Sequence, residues 1–461
     1  MKIYFLFVTL IVVLIGCNTP SSTTSIETIS EDSIKPQGIK RGIINVLSAV
    51  TDASCNYALF VPNDSCDAYP LIVIFDPHAA GNHAASQYKE LAGKYNVVLA
   101  ASNKIQNNMP SEEFMYFASC IIDDVMQKIP IDSEHVYLMG FSGGARVASF
   151  LAQQENIFKG VIGCGAGLTD LVNIKIPDFL YVGMAGFSDF NFPEVYKSEN
   201  TLRQSSVRAN FKYFDGKHEW PPDSIMEYAF IAITLNRKQY TKEIISSYLT
   251  KETNLNKKIP VRDAWKKVIG FKSLKDLIET YNGFEVEKLQ INSYLDSYEA
   301  KMSERNITSS LTKEFTSQTE LQKAFAEKDI DWWNKKIKIL SVAIGKKNKT
   351  PADYRDIRLL NYISIAGYTA TSQALKSGDI KQAEKFLNIY RLADPSNPDM
   401  IFLTGVYLTI NKEYQSAIDS LTLAVQMGFS DKRKWQSERS FIPLKDSLRF
   451  IDLEAKLNSM P

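Results

Sequence analysis

The sequence predicts an α/β domain, a mainly parallel sheet with helices on both faces, followed by an all-α region. Three observations predict it. Between about 42 and 236, short apolar runs alternate with amphipathic helical patterns. From about 237 onward long charged stretches with helical spacing take over and strand signals fade. Inside that second region an echo recurs thirty-four residues apart. A chain of 461 residues, 45% apolar and 23% charged, is an ordinary globular composition with length for two or three domains. The 53 basic residues balance 52 acidic ones, and no basic run or aromatic-basic stripe stands out, so small molecules or proteins, not nucleic acid, are the expected partners.

Residues 1–16 stand apart from this core. Met1 and Lys2 precede the apolar run IYFLFVTLIVVLIG, which is short for a transmembrane span and suits a secretory signal. It ends in LIGC, Leu14 to Cys17, which resembles the lipobox of bacterial lipoproteins. The resemblance implies cleavage before Cys17 and a lipid on that cysteine as the mature N-terminus; a plain secretory signal with an incidental cysteine is the alternative. Residues 17–41, rich in Ser and Thr, read as a flexible tether. No later segment is apolar enough to span a bilayer. The chain is therefore expected at the cell envelope, outside the cytoplasm, held to a membrane through its N-terminal lipid.

In the segment 42–236 the strand-like runs are NYALFVP, LIVIF, NVVLAAS, HVYLMG, KGVIGCG, DFLYVGM and NFKYF, and SEEFMYFASCIIDDVMQKI is a helix. Cys55 and Cys66 flank one strand and lie too far apart to bridge easily, while Cys120 and Cys164 sit in apolar contexts that suit buried thiols. Neither CxxC nor HExxH occurs. Asp76, His78 and His83 are near one another, but four histidines in all leave little material for a metal site, and none is expected.

Gly140-Phe141-Ser142-Gly143-Gly144 fits G-x-S-x-G, preceded by a strand and followed by the helical ARVASFLAQQ. Small neighbours let a helix pack beneath a sharp turn, which exposes the serine hydroxyl at the carboxyl edge of the sheet. Serine is a weak nucleophile and needs a base, itself oriented by a carboxylate. Asp189 follows the strand DFLYVGM at its carboxyl end, and His218 lies in a loop after the last strand. Asp178 enters its strand at the wrong end and Asp215 precedes the histidine too closely to serve as the acid. Among rival bases, His135 lies at the entry of the serine's strand, and His78 and His83 precede the serine. Backbone N–H groups must hold the oxyanion. Gly143 is the first candidate; Ala79 or Ala80, in DPHAAG, is the second.

The order Ser142, Asp189, His218 is that of the α/β-hydrolases. FDPHAAG, GFSGGARVA, GFSDFNF and GKHEWPP together resemble that superfamily, and within it secreted esterases of the polyhydroxyalkanoate depolymerase and feruloyl esterase kind. The resemblance covers roughly two-fifths of the chain. It implies an α/β-hydrolase sheet, hydrolysis of an ester-bearing small molecule or polymer through an acyl-serine, and no cofactor. Asp189 follows Ser142 by only forty-seven positions, which leaves little room for a lid and implies an open site. Phe187, Phe190, Phe192 and Trp220 are candidate pocket walls.

In the region 237–461, Ala383 recurs as Ala417, Leu387 as Leu421 and Thr371 as Gly405. SGDIKQAEKFLNIYRLADPSNP and NKEYQSAIDSLTLAVQMGF resemble tetratricopeptide repeats over about 365–430, with small residues where paired helices touch. The resemblance implies protein binding or packing. Two functions follow from the whole: a lipid-anchored serine esterase with a helical repeat region, or an inactive hydrolase-fold scaffold that binds proteins through its repeats. A serine peptidase is a variant of the first.

Overall fold

The computed structural model describes residues 38–238 and 242–459. The signal segment, Cys17 and the tether up to residue 37 lie outside the described residues.

The seven apolar runs form strands β2 to β8: Asn56–Phe60, Tyr69–Phe75, Val98–Ser102, Ile131–Phe141, Phe158–Cys164, Leu180–Gly186 and Arg208–Phe214. One further strand, β1 (Ile44–Ser48), was not expected. None of its five residues is fully buried, so it carries no apolar run. The sheet order is β1-β2-β4-β3-β5-β6-β7-β8. β1, β2 and β4 pair antiparallel, and every pairing from β4 through β8 is parallel. Crossover helices supply both covers: α1 (Gly81–Lys94), α2 (Ser111–Lys128), α3 (Gly143–Gln154), α4 (Phe192–Leu202) and α5 (Asp223–Asn236). This mainly parallel sheet with helices on both faces resembles the α/β-hydrolase sheet, and the two covers explain why β3, β4 and β7 are buried at every position.

Every second strand residue on one face, including Ile72, Ile74, Leu99, Ala101, Tyr137, Met139, Val182 and Met184, enters a single apolar cluster with α1 and α5. That cluster does not end at residue 236. It continues through α6 (Lys242–Lys257), α7 (Ala264–Ile278) and α8 (Glu285–Leu295), where Tyr248, Phe271, Leu274 and Ile291 join it. α5 is consequently buried almost all round, from Met226 to Ile233, as a helix between two apolar layers must be. The expected boundary at 236 therefore cuts through a core, and Lys40 onward forms one compact unit.

A second cluster runs from Leu321 to Leu457. It lies in α9 (Tyr298–Glu327), α10 (Ile330–Ser341), α11 (Pro351–Ser377), α12 (Ile380–Ala393), α13 (Pro398–Ile410), α14 (Tyr414–Gln426), α15 (Lys432–Ser437) and α16 (Leu448–Ser459). This large region is all-helical. α11 packs on α12 and α13 on α14. Ala383, Thr371, Leu387, Ala417 and Leu421 are all buried. α11 has a defined start: the Thr350 hydroxyl accepts from the Asp353 N–H, the Asp353 carboxylate accepts from the Thr350 N–H, and Pro351 opens the first turn. Among the described residues no helix is long and apolar enough to cross a membrane.

Candidate active site

Ser142 stands between the last residue of β5 and the first of α3. Its backbone is in a region that L-residues rarely adopt, φ 51° and ψ −116°. The Ser142 N–H donates to the Cys164 carbonyl at 2.8 Å, which pins the turn to the end of β6. The close packing beneath it requires glycine at 144, where a Cβ would lie 2.0 Å from the Phe75 carbonyl oxygen.

The three residues singled out in sequence converge at the carboxyl edge of the sheet. His218 Nε2 is 2.9 Å from Ser142 Oγ, and His218 Nδ1 is 2.9 Å from Asp189 Oδ1. The imidazole lies between the rings of Phe141 and Phe190, with centroids 4.6 and 4.3 Å away. Asp189 is fully buried in the loop between β7 and α4. Burial pushes its carboxyl pKa up, while hydrogen bonds from His218 and the Asn191 N–H and the charge of Arg358 work against that rise. Its Oδ2 has no hydrogen-bond partner among the described residues. Such a chain can draw the serine proton onto the imidazole while a buried carboxylate fixes the ring's tautomer and orientation.

The rival groups are engaged elsewhere. Asp178 pairs with Arg208 and Lys238, Asp215 accepts from Lys266 and Tyr354, and His135 contacts Asp132 near the start of β5. His83 is exposed, and the His78 side chain is largely so. Among the described residues no cluster of His, Cys, Asp and Glu is arranged to hold a metal. Cys55, Cys66, Cys120 and Cys164 are free thiols.

The oxyanion candidates divide. The Gly143 N–H meets no acceptor among the described residues. The loop after β3, in contrast, closes on Asp76. The Ala79 N–H donates to the Asp76 carbonyl at 3.2 Å, and the His78 and Ala80 N–H groups donate to Asp76 Oδ1 at 2.8 and 3.4 Å. The expectation that Ala79 or Ala80 offers a free donor is therefore corrected in this conformation. A 5% exposed carboxylate at the strand end has taken the donors of its own turn. Asn107, which the sequence did not single out, stands over the β5–Ser142–α3 turn, the elbow that carries the serine. Its Oδ1 would be 1.8 Å from a Cβ at Gly143, and its N–H donates to the Pro77 carbonyl.

The aromatic candidates divide as well. Phe187 is 5% exposed and packs on Phe192, Trp265 and Tyr354, with ring centroids 6.0, 4.9 and 5.5 Å away, so it is not a pocket wall. It faces α7 and α11, which the sequence alone could not bring to it. Phe192 is buried in the same cluster. Phe190 remains half-exposed over His218. Trp220 is half-buried, and its Nε1 donates to Asp76 Oδ2 at 2.8 Å. Despite burial, this bond and those from His78 and Ala80 hold the Asp76 carboxyl down at about 2. The loop after β3 and the loop carrying His218 are thus joined through one carboxylate.

A further set of contacts comes from the helical region. Arg358 Nη1 donates to the Phe187 carbonyl at 2.6 Å, and Asn361 Nδ2 donates to the Ser188 carbonyl at 3.0 Å. No local sequence signal marks these residues, because their partners lie some 170 positions away.

Protein-family models and curated proteins give no match to this chain. Solved structures do. The fluorophosphonate-binding serine hydrolase F of Staphylococcus aureus matches at 15% identity over 42% of this chain and 97% of its own, with a TM-score of 0.33. S-formylglutathione hydrolase of the same organism matches at 14% identity, over 42% and 98%, with a TM-score of 0.36. A ferulic acid esterase matches at 16% identity, over 43% and 98%, with a TM-score of 0.32.

Proposed function

We propose that this chain is a serine hydrolase, a carboxylic ester hydrolase acting through an acyl-serine. The observation that carries the proposal is the hydrogen-bonded chain from Ser142 Oγ through His218 to buried Asp189, at a serine held with positive φ. Ser142 Oγ attacks the ester carbonyl as His218 Nε2 takes its proton. The Gly143 N–H faces the developing oxyanion. His218 then protonates the departing alcohol, leaving the acyl group on Ser142. Water, deprotonated by His218, attacks the acyl carbonyl; the acid leaves, and the proton returns to Ser142. Throughout, Asp189 orients the imidazole and stabilises its charged form.

Esters are favoured over peptides by the four motifs that resemble secreted esterases. The lipobox-like LIGC supports attachment through Cys17 at the cell envelope, outside the cytoplasm. The paired helices α11 with α12 and α13 with α14, together with the thirty-four-residue echo, support a tetratricopeptide-like region that binds a protein partner.

One observation favours an inactive scaffold instead: the N–H groups of Ala79 and Ala80 are taken by Asp76, which leaves Gly143 as the single free backbone donor of the expected pair. A fluorophosphonate probe separates the two. Labelling of the parent that is lost in Ser142→Ala supports the hydrolase; absence of labelling in the folded parent overturns it.

A further inference from the structure

Three residues of α11 share one face at positions i, i+4 and i+7: Tyr354, Arg358 and Asn361. Each reaches a loop of the candidate triad. Arg358 is 3% exposed; its Nε and Nη2 bind the two oxygens of Glu314, itself fully buried, at 2.8 and 2.5 Å, which leaves Nη1 aimed at the Phe187 carbonyl. Asn361 takes the next carbonyl, that of Ser188. Tyr354 Oη donates to Asp215 Oδ1 at 2.7 Å, three residues before His218, and Lys266 binds the other oxygen of Asp215.

These contacts meet others from the opposite side. The Phe187 and Ser188 N–H groups donate to the Phe214 and Gly216 carbonyls at 2.7 and 2.9 Å, inside the segment that leads to His218. The two residues before Asp189 are therefore held through their N–H groups by the histidine's own loop and through their carbonyls by α11. Apolar packing of Phe187 on Trp265 and Tyr354 fills the space between but sets no direction. Directional, buried hydrogen bonds do, and a carbonyl left without its donor there costs more than the bond itself contributes.

We propose that the Tyr354, Arg358, Asn361 stripe of α11 is a positioning device for the triad: it sets where Asp189 meets His218, so the helical region is a working part of the active site. The inference rests on the triad proposed above. It makes the hydrolase sheet insufficient by itself, because the acid's loop takes its geometry from a helix more than 160 positions later in the chain.

The test uses the full chain. Removing Arg358 alone would strand Glu314 as a buried, unpaired charge, so Arg358→Met is combined with Glu314→Met, which replaces the ion pair with apolar side chains of similar length. Melting temperature, kcat and KM on an aryl ester, and the downfield proton resonance of the His218–Asp189 hydrogen bond are measured together. The expected result is a folded double variant whose kcat falls by about 10- to 100-fold with KM within about two-fold of the parent, and whose resonance is weakened or lost. Arg358→Lys, with Glu314 intact, recovers part of kcat. Parent-like kcat and resonance in the folded double variant overturn the proposal. Should the double variant not fold, Asn361→Ala deletes one hydrogen bond, to the Ser188 carbonyl, and Tyr354→Phe deletes two, to Asp215 and from Lys266; unchanged kcat in both overturns it equally. If the parent is neither labelled nor active, the hydrolase itself fails, while loss or retention of the resonance still decides whether the stripe holds Asp189 on His218.

Discussion

The indole N–H of Trp220 donates to the Asp76 carboxylate at 2.8 Å, and this one contact ties the turn after β3 to the loop that carries His218. Asp76 is 5% exposed and accepts on both oxygens, so it acts as a common acceptor for the two loops. Trp220→Phe keeps the ring against Phe141 and Tyr88 and removes only the donor. It is expected to lower kcat while shifting the melting temperature little. An unchanged kcat would show that the two loops hold their places without the tie.

The same carboxylate gives a pH signature. Asp76 sits at about 2 in the folded chain against an ordinary value of 3.8. A carboxyl depressed by folding stabilises above its unfolded pKa, and that contribution disappears as pH falls through the folded value. Parent and Asp76→Asn should therefore differ in unfolding free energy by a constant amount above about pH 5, of which roughly 2 kcal/mol is lost as the carboxyl protonates. Between about pH 4 and pH 2 the difference should shrink. Urea unfolding across that range checks it, and a difference independent of pH down to about pH 2 contradicts it.

Neighbouring glycines at the elbow should respond differently to alanine. At Gly144 the added methyl meets the Phe75 carbonyl oxygen, a backbone atom that cannot move without the sheet. At Gly143 it meets the end of the exposed Asn107 side chain, which can swing away. Gly144→Ala is expected to cost about 1–3 kcal/mol or more, and Gly143→Ala little. Equal melting temperatures for the two would contradict the packing described for the elbow.

Phe187 and Phe190 separate packing from the site. Phe187→Ala should cost about 3–5 kcal/mol of stability, as for any large aromatic removed from a packed interior. Phe190→Ala, at a half-exposed ring against His218, should leave stability nearly unchanged and lower kcat/KM. Unfolding curves and ester kinetics on both variants check the contrast; the reverse pattern would restore Phe187 as a substrate contact.

Residues buried on both faces of a sheet write themselves into the sequence as apolar runs, which is why β2 to β8 were legible and the half-exposed β1 was not. Ser142, Asp189 and His218 could be grouped as candidates from chain order, since each follows a strand, but order alone did not show that they meet. What escaped was whatever depends on distant chain. Phe187 reads the same whether it faces a ligand or a helix, and only the fold sets it against Trp265. Arg358 looks like any charge on a helix until Glu314 and the Phe187 carbonyl surround it. The continuation of the sheet's core past 236 escaped for a related reason: α6 to α8 are polar enough on one face to read as a separate domain, while their other face joins the sheet's apolar cluster.

Hydrolysis requires Ser142 to be an activated nucleophile. The first measurement treats the chain without residues 1–17 with a fluorophosphonate probe, beside Ser142→Ala. The parent is expected to take the label and the variant none. A folded parent that takes no label, or a Ser142→Ala variant labelled as strongly as the parent, would contradict an activated Ser142.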